Sequence, residues 1–173
     1  LVEFEELMRE GEIVGWFAKY LVYKRVPTEP IVQNSYRKLI YRSQVKQLYK
    51  TVYKNSMQMI NLVIDFVSSK EALLPEEKNI ARFCGKWIGL ITLVCNKPIL
   101  LNDLDIKKKL YECSENKTVS NVIPIVCIFL KSIEKSNLFN AKVPYINSIH
   151  DILREILQMS WLNHTTKIFI EVV

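Results

Sequence analysis

The chain has 173 residues, of which 49% are hydrophobic and 24% are charged, and its formal net charge at pH 7 is +6. This length suits one domain with a continuous core, and the presence of only 4 glycines and 6 prolines disfavours a β-rich fold with many tight turns. The longest uncharged runs, Trp87–Asn96 and Thr118–Leu130, are shorter than the roughly 20 residues that span a bilayer, so we expect no membrane contact.

The N-terminal segment is predicted to be helical from residue 3 to residue 25. Its apolar side chains recur at helical spacing, and Gly11 marks a point where the helix can break. The segment Pro27–Pro30 must then form a loop, because two prolines three residues apart do not fit inside a regular helix.

Two further helices are expected over residues 31–41 and 45–67. No proline or glycine separates them near Ser43, so one long helix remains an alternative. One face of the later helix is predicted to be buried, and its residues are Val45, Leu48, Val52, Met59, Leu62, Val63 and Phe66.

A helix that begins at Glu76 and ends before Pro98 is predicted to be the centre of the domain, because proline cannot donate a backbone hydrogen bond. Gly85 and Gly89 lie one turn apart inside it, and each costs about 1 kcal/mol relative to alanine. We therefore expect another backbone to approach this face, in a tightly packed core helix or in the central ridge of a docking scaffold. The predicted buried face consists of Ile80, Phe83, Cys84, Trp87, Ile88, Ile91 and Cys95.

Four more helical segments are predicted, over residues 104–113, 119–138, 145–161 and from 166 onward. Asn102 or Asp103 is expected to cap the first of them. No segment shows the alternation typical of a strand, so the chain is predicted to be all-α with about seven or eight helices. The short links between helices favour antiparallel neighbours, and periodicity leaves a HEAT-type α-solenoid and a globular bundle both open.

No side chains have the spacing of a catalytic site. His150 and His164 are the only histidines, and the sequence has no phosphate-binding loop, no GxSxG, no HExxH and no Rossmann glycine pattern. Helix capping explains Asp103 and Asp105 better than a metal site does. We therefore expect no enzyme activity, no cofactor and no metal, and we expect the 4 cysteines to be free thiols in the core.

Two separated blocks of sequence carry a resemblance to a known family. One block has GKWIGLITL at 85–93, NKPIL at 96–100 and DLD at 103–105, and the other has YLV at 20–22, KRV at 24–26 and EP at 29–30. The chain resembles the middle domain of the large scaffold subunit of the CCR–NOT mRNA deadenylase complex. The resemblance implies a MIF-four-G-type, HEAT-like α-solenoid of antiparallel helix pairs, with residues 1–173 as one scaffold domain that is a fragment of a larger protein.

The same resemblance implies partners and sites. Domains of this family have no activity of their own; they bind a DEDD-type poly(A) deadenylase and, on a separate surface, a DEAD-box RNA helicase, in mRNA deadenylation, decay and translational repression. Other subunits of the complex would bind the rest of the parent protein, and we expect a location in the cytoplasm, with the nucleus as a second one. Carried over residue by residue, the deadenylase-binding surface would include Glu29, Tyr36, Lys86 and Asn96, and the helicase-binding surface Lys24 and Arg25.

Basic residues are concentrated between Lys19 and Lys54, where nine basic side chains accompany a single acid, Glu29. A basic stripe is predicted along one helix face, with two tyrosines, Tyr49 and Tyr53, alongside it; its residues are Arg42, Lys46, Lys50 and Lys54. The stripe is either an ordinary solvated face or a weak, salt-sensitive contact for RNA or an acidic partner. Two alternative functions stay open: a basic RNA-binding helical-repeat module, and a helicase-binding module of the kind found in translation initiation or nonsense-mediated decay.

Overall fold

The computed structural model describes residues 2–173, which form nine α-helices and no strand. They are α1 (Val2–Leu7), α2 (Gly11–Tyr20), α3 (Gln33–Arg42), α4 (Lys46–Ser68), α5 (Pro75–Ile91), α6 (Ile106–Glu115), α7 (Val119–Leu130), α8 (Pro144–Leu157) and α9 (His164–Glu171). A π-helical turn, Leu21–Arg25, continues α2, and a 3-10 turn, Lys131–Lys135, continues α7. The prediction of an all-α fold is confirmed.

The helices are stacked as pairs in two layers. In one layer α3, α5, α7 and α9 follow one another, and in the other α2 packs on α4 and α6 packs on α8. Contacts of α4 with α5, α6 with α7 and α8 with α9 join the two layers. An ion pair of 2.5 Å between Lys109 Nζ and Asp65 Oδ1 links α6 to α4. This arrangement is that of an α-solenoid, which confirms the predicted architecture.

The helices α5 and α7 come close together at a seam in the core. A Cβ atom on Gly85 would lie 2.7 Å from the carbonyl oxygen of Ile125, and one on Gly89 would lie 2.7 Å from Cβ of Ser132. Both distances are too short for any side chain, so the expectation that another backbone approaches this face is confirmed. Trp87 lies fully buried in the same helix.

The predicted end of the central helix is wrong: α5 ends at Ile91, well before Pro98. Thr92 has φ −110° and ψ −82°, outside the helical region, and its hydroxyl donates to the carbonyl oxygen of Ile88 at 2.5 Å. A threonine side chain that bonds back to the preceding turn competes with continuation of the helix. The chain continues in turns, and Cys95 is buried there rather than on a helix face.

Three other predicted boundaries are also wrong. Neither Asn102 nor Asp103 caps α6; the cap is Asp105, whose Oδ1 accepts from the Lys108 N–H at 3.0 Å. Asp103 instead accepts a hydrogen bond from the hydroxyl of Tyr53 at 2.9 Å. The helices α7 and α8 end earlier than the predicted 138 and 161. The helix α7 passes into the 3-10 turn, after which Ser136 is extended with φ −93° and ψ 141°, and α8 ends at Leu157.

Three residues assigned to buried helix faces are exposed: Leu62 by 64%, Phe66 by 47% and Ile80 by 40%. The contacts of α4 with α2, α5 and α7 lie on a face rotated away from Leu62 and Phe66. The alternative of one long helix is excluded, because Gln44 has φ 54° between α3 and α4.

The prediction for the cysteines is confirmed, since all four are free and buried. Burial raises the pKa of the Cys84 and Cys127 thiols to about 12, so both are inert at neutral pH.

Candidate docking surface

Three side chains around the connection from the π-helical turn to α3 are bonded to one another, the Arg25–Glu29–Tyr36 network. Arg25 ends the π-helical turn, Glu29 lies in the loop, and Tyr36 lies on α3. The Tyr36 hydroxyl donates to Oε2 of Glu29, and Nη2 of Arg25 lies 2.7 Å from Oε1 of the same carboxylate. Nε of Arg25 also donates to the Tyr36 hydroxyl at 3.4 Å, and this hydrogen bond, together with the charge of Glu29, raises the pKa of Arg25. Each side chain therefore holds the other two in one orientation.

Backbone bonds explain why the loop holds this shape. The Glu29 N–H donates to the carbonyl oxygen of Arg25 at 2.9 Å, which keeps these two residues one helical turn apart. The exposed hydroxyl of Thr28 donates to the carbonyl oxygen of Lys24 at 2.8 Å. The carbonyl groups of Lys24 and Arg25 at the end of the π-helical turn are thereby satisfied.

Two side chains fasten the loop to α5. Gln33 is fully buried, and its Nε2 donates to the carbonyl oxygens of Val26 at 2.9 Å and Phe83 at 3.0 Å. From the side of α5, Nζ of Lys86 donates to the carbonyl oxygen of Pro30 at 2.8 Å. The loop is therefore anchored to the solenoid at several points.

Three of the four residues predicted for the deadenylase surface lie together here, namely Glu29, Tyr36 and Lys86. Asn96 does not share their hydrogen bonds. It lies in the turn after α5, and its Oδ1 accepts from the Ser136 hydroxyl at 3.1 Å and from the amides of residues 137 and 138 at 3.2 Å. This side chain ties together the turns that follow α5 and α7; its role in binding a partner stays a prediction.

The two residues predicted for the helicase surface differ in environment. Lys24 is exposed, whereas Arg25 belongs to the Arg25–Glu29–Tyr36 network and keeps 42% of its side chain exposed. The two predicted surfaces therefore adjoin at Arg25.

The predicted basic stripe is divided between two helices. Arg42 is the last residue of α3, whereas Lys46, Lys50 and Lys54 lie on α4, and all four are exposed. The expectation of one helix face is therefore wrong for Arg42, because the turn at Gln44 intervenes.

The tyrosines of the stripe point their hydroxyl groups inward. Tyr49 donates to the carbonyl oxygen of Ile91 at 3.0 Å, and Tyr53 donates to Oδ2 of Asp103 at 2.9 Å. Burial raises the pKa of both phenols, that of Tyr53 to about 12. These rings join α4 to its neighbours and are not open platforms for a base.

Sequence reasoning missed Gln33, the buried side chain that fixes the loop to α5. Gln33 reaches Phe83, 50 positions away, and nothing in local spacing distinguishes it from a solvated glutamine. The one available signal is its place directly after the loop with two prolines, where backbone carbonyl groups need donors.

Within residues 2–173, no three or more His, Cys, Asp and Glu side chains are grouped so that they could hold a metal ion. Over the same part of the chain, every helix is too short or too polar to cross a membrane. Burial lowers the pKa of His150, and its Nε2 has no hydrogen-bond partner among the described residues.

Comparison with known proteins identifies a family and several relatives. The family described as "CCR4-NOT transcription complex subunit 1 CAF1-binding domain" matches residues 1–173. The chain is 30% identical over 158 residues to "General negative regulator of transcription subunit 1" of Schizosaccharomyces pombe, which covers 91% of this chain and 7% of that protein. It is 29% identical over 163 residues to "CCR4-NOT transcription complex subunit let-711" of Caenorhabditis elegans. That alignment covers 91% of this chain and 6% of that protein.

A further relative is "General negative regulator of transcription subunit 1" of Saccharomyces cerevisiae, which is 26% identical over 142 residues and covers 82% of this chain. The chain spans only 6% to 7% of the length of these three relatives.

Proposed function

The chain belongs to the family of CAF1-binding domains of CCR4-NOT transcription complex subunit 1. From this premise we propose that it is a non-catalytic scaffold domain that docks a CAF1-type, DEDD-class poly(A) deadenylase. Its role is then in mRNA deadenylation, decay and translational repression. The fold supports the proposal, because an α-solenoid offers a long outer surface for partners. A docked nuclease has a raised effective concentration beside the other subunits, without any new chemistry.

The observation that carries the proposal is the order of the Arg25–Glu29–Tyr36 network. Its three side chains are bonded to one another, and Lys86 holds the loop in which Glu29 lies. Side chains already ordered lose little conformational freedom when a partner binds. Tyrosine and arginine are also frequent hot spots of interfaces. Next to them Ile31 is 91% exposed and offers an apolar anchor.

Isothermal titration calorimetry with a recombinant CAF1-type deadenylase tests this surface. We expect the Glu29→Ala, Tyr36→Asp double variant to bind at least about tenfold more weakly than the unaltered chain. The matched control is Glu112→Ala, Tyr111→Asp on α6, where both side chains are exposed. Circular dichroism melting confirms that both variants fold. Equal affinity of the first variant and the unaltered chain would refute the surface, and no binding by the unaltered chain would refute the function.

We further propose that a DEAD-box RNA helicase docks beside the deadenylase, on Lys24 and Arg25. None of the ion pairs within residues 2–173 includes Lys24. The guanidinium group of Arg25 is partly exposed, and its forked donors suit a carboxylate on a partner.

Single substitutions separate the two partners. Lys24→Glu is expected to weaken helicase binding by about fivefold and to leave deadenylase binding unchanged, because Lys24 lies outside the Arg25–Glu29–Tyr36 network. Arg25→Ala is expected to weaken both. Titrations of each partner with each variant provide the measurement; normal helicase binding by Lys24→Glu would exclude this site.

A further inference from the structure

A basic groove lies where the end of α3, the start of α4 and the turn after α5 meet. It is open to solvent, and its volume is about 400 Å³. The residues that matter for its chemistry are Ile40, Tyr41, Val45, Lys46, Lys50 and Lys97. Three lysines thus line the groove together with apolar side chains, and no Asp or Glu belongs to the lining.

The positive charge of this basic groove is not neutralised by its surroundings. Among the described residues, none of the ion pairs includes Lys46, Lys50 or Lys97. Glu29, the single acid between Lys19 and Lys54, is paired with Arg25. A concave site with one sign of charge and low-dielectric walls concentrates its field and attracts anions.

The charge is also periodic. Lys46, Lys50 and Lys54 follow at four-residue steps on α4, which corresponds to a rise of about 6 Å for each step. A repeating row of point charges suits a repeating polyanion better than it suits the few carboxylates of a peptide, for which forked arginines are the stronger partners.

The wall of the basic groove carries one open aromatic ring. Tyr41 is 52% exposed, and no side-chain hydrogen bond to its hydroxyl is found among the described residues. This distinguishes it from Tyr49, whose hydroxyl is bonded to the carbonyl oxygen of Ile91. An exposed ring beside a row of lysines is the combination that binds single strands, since any base can stack on it.

We propose that the basic groove binds single-stranded RNA, with phosphates on Lys46, Lys50 and Lys97 and a base stacked on Tyr41. The proposal goes beyond deadenylase docking and does not depend on it, because no residue of the Arg25–Glu29–Tyr36 network lines the groove.

Fluorescence anisotropy with labelled oligo(A) of about 15 nucleotides, measured over a range of salt concentrations, tests the proposal. The groove variant is Lys46→Glu, Lys50→Glu, Lys97→Glu. The control variant is Lys78→Glu, Lys108→Glu, Lys142→Glu, which changes three exposed lysines elsewhere and gives the same net charge.

The groove variant is expected to bind oligo(A) at least about tenfold more weakly and to lower the slope of log affinity against log salt by about 2, as the loss of three phosphate contacts requires. The control variant is expected to lose less than about threefold. Tyr41→Ala is expected to weaken binding about fivefold with an unchanged salt slope, because stacking releases no counterions.

Equal losses in the two triple variants, or no binding of oligo(A) by the unaltered chain at low salt, would overturn the proposal. Displacement of the RNA by a lower concentration of a poly-glutamate peptide would overturn it too and would assign the groove to an acidic protein. Calorimetry with the deadenylase is expected to give the same affinity for the groove variant and the unaltered chain, so failure of this proposal is distinguishable from failure of the docking function.

Discussion

The α5–α7 seam and the Arg25–Glu29–Tyr36 network are held by different forces. In the seam, Gly85 and Gly89 bring two helices so close that no added atom fits, and dense apolar packing provides the stability. In the network, charged groups that are still in contact with water bond to one another, and such pairs contribute little to stability. The comparison indicates that the seam keeps the solenoid folded, whereas the network is available for the proposed binding of a partner.

The largest effect is expected from Gly89→Ala in the seam. The new Cβ would meet Ser132 Cβ at 2.7 Å and the carbonyl oxygen of Phe129 at 3.0 Å, so α7 has to shift. We expect this shift to lower the free energy of unfolding by about 3 kcal/mol. That cost exceeds the gain of about 1 kcal/mol that comes from replacing a glycine inside a helix. Urea denaturation gives the measurement.

Gly15→Ala is the matched control, because nothing lies within 4 Å of the corresponding Cβ position in α2. It should raise the free energy of unfolding by up to about 1 kcal/mol. If both glycine variants had the same stability, the close approach of α5 and α7 would not be what holds the core.

The next effect is that of Trp87→Phe, which removes a buried donor. Nε1 of Trp87 donates to Oγ of Ser56 at 2.9 Å, and both residues are fully buried. The variant leaves that hydroxyl without its partner and also leaves a cavity, so we expect a loss of about 2 kcal/mol in the free energy of unfolding. Adding Ser56→Ala should recover part of the loss, and a double variant less stable than Trp87→Phe would argue against the hydrogen bond.

A smaller effect on stability is expected in the network. Tyr36→Phe removes a hydroxyl that donates to Glu29 and accepts from Arg25. We expect the free energy of unfolding to fall by less than about 1 kcal/mol, while the affinity for the deadenylase falls by about fivefold. Melting and calorimetry on the same sample provide both numbers. If Tyr36→Phe unfolded as readily as Gly89→Ala and yet bound the deadenylase normally, the network would serve stability rather than binding.

The smallest effect is expected at the exposed start of α5 and depends on pH. Two hydrogen bonds lower the pKa of the Glu77 carboxyl below its ordinary value. The larger effect comes from the Lys70 ammonium group and the smaller one from the Leu74 N–H. The folded state therefore gains stability above the unfolded pKa of Glu77 and loses it as the pH falls through the lower, folded pKa. Glu77→Gln should flatten this part of the stability profile in acid. An unchanged profile would mean that the Lys70–Glu77 pair contributes nothing.

Helical spacing predicted the all-α class because its signals are local, whereas the family resemblance predicted the solenoid. Gly85, Gly89 and Trp87 all lie within two turns of one helix, and their spacing alone indicates a tight, buried face. The same spacing could not place Leu62 and Phe66 correctly, since a helical wheel shows which residues share a face but not where the neighbouring helices lie.

Contacts between distant segments explain why the candidate site was predicted only in part. Lys86 bonds to a backbone carbonyl 56 positions away, and Asn96 to a turn about 40 positions away. Backbone carbonyl groups carry no sequence signal, so these partners emerge only when the helices are stacked. The family resemblance supplied the residues, and the structure supplied the contacts that distinguish Asn96 from the rest.

Hydrogen exchange of the chain with and without a recombinant CAF1-type deadenylase tests the central claim most directly. The claim is that the partner docks on the Arg25–Glu29–Tyr36 network and the loop between its first and last residues. We therefore expect the amides of residues 26–36 to exchange more slowly in the complex, with α8 and α9 unchanged. Protection confined to α8 and α9, with residues 26–36 exchanging as fast as in the isolated chain, would contradict it.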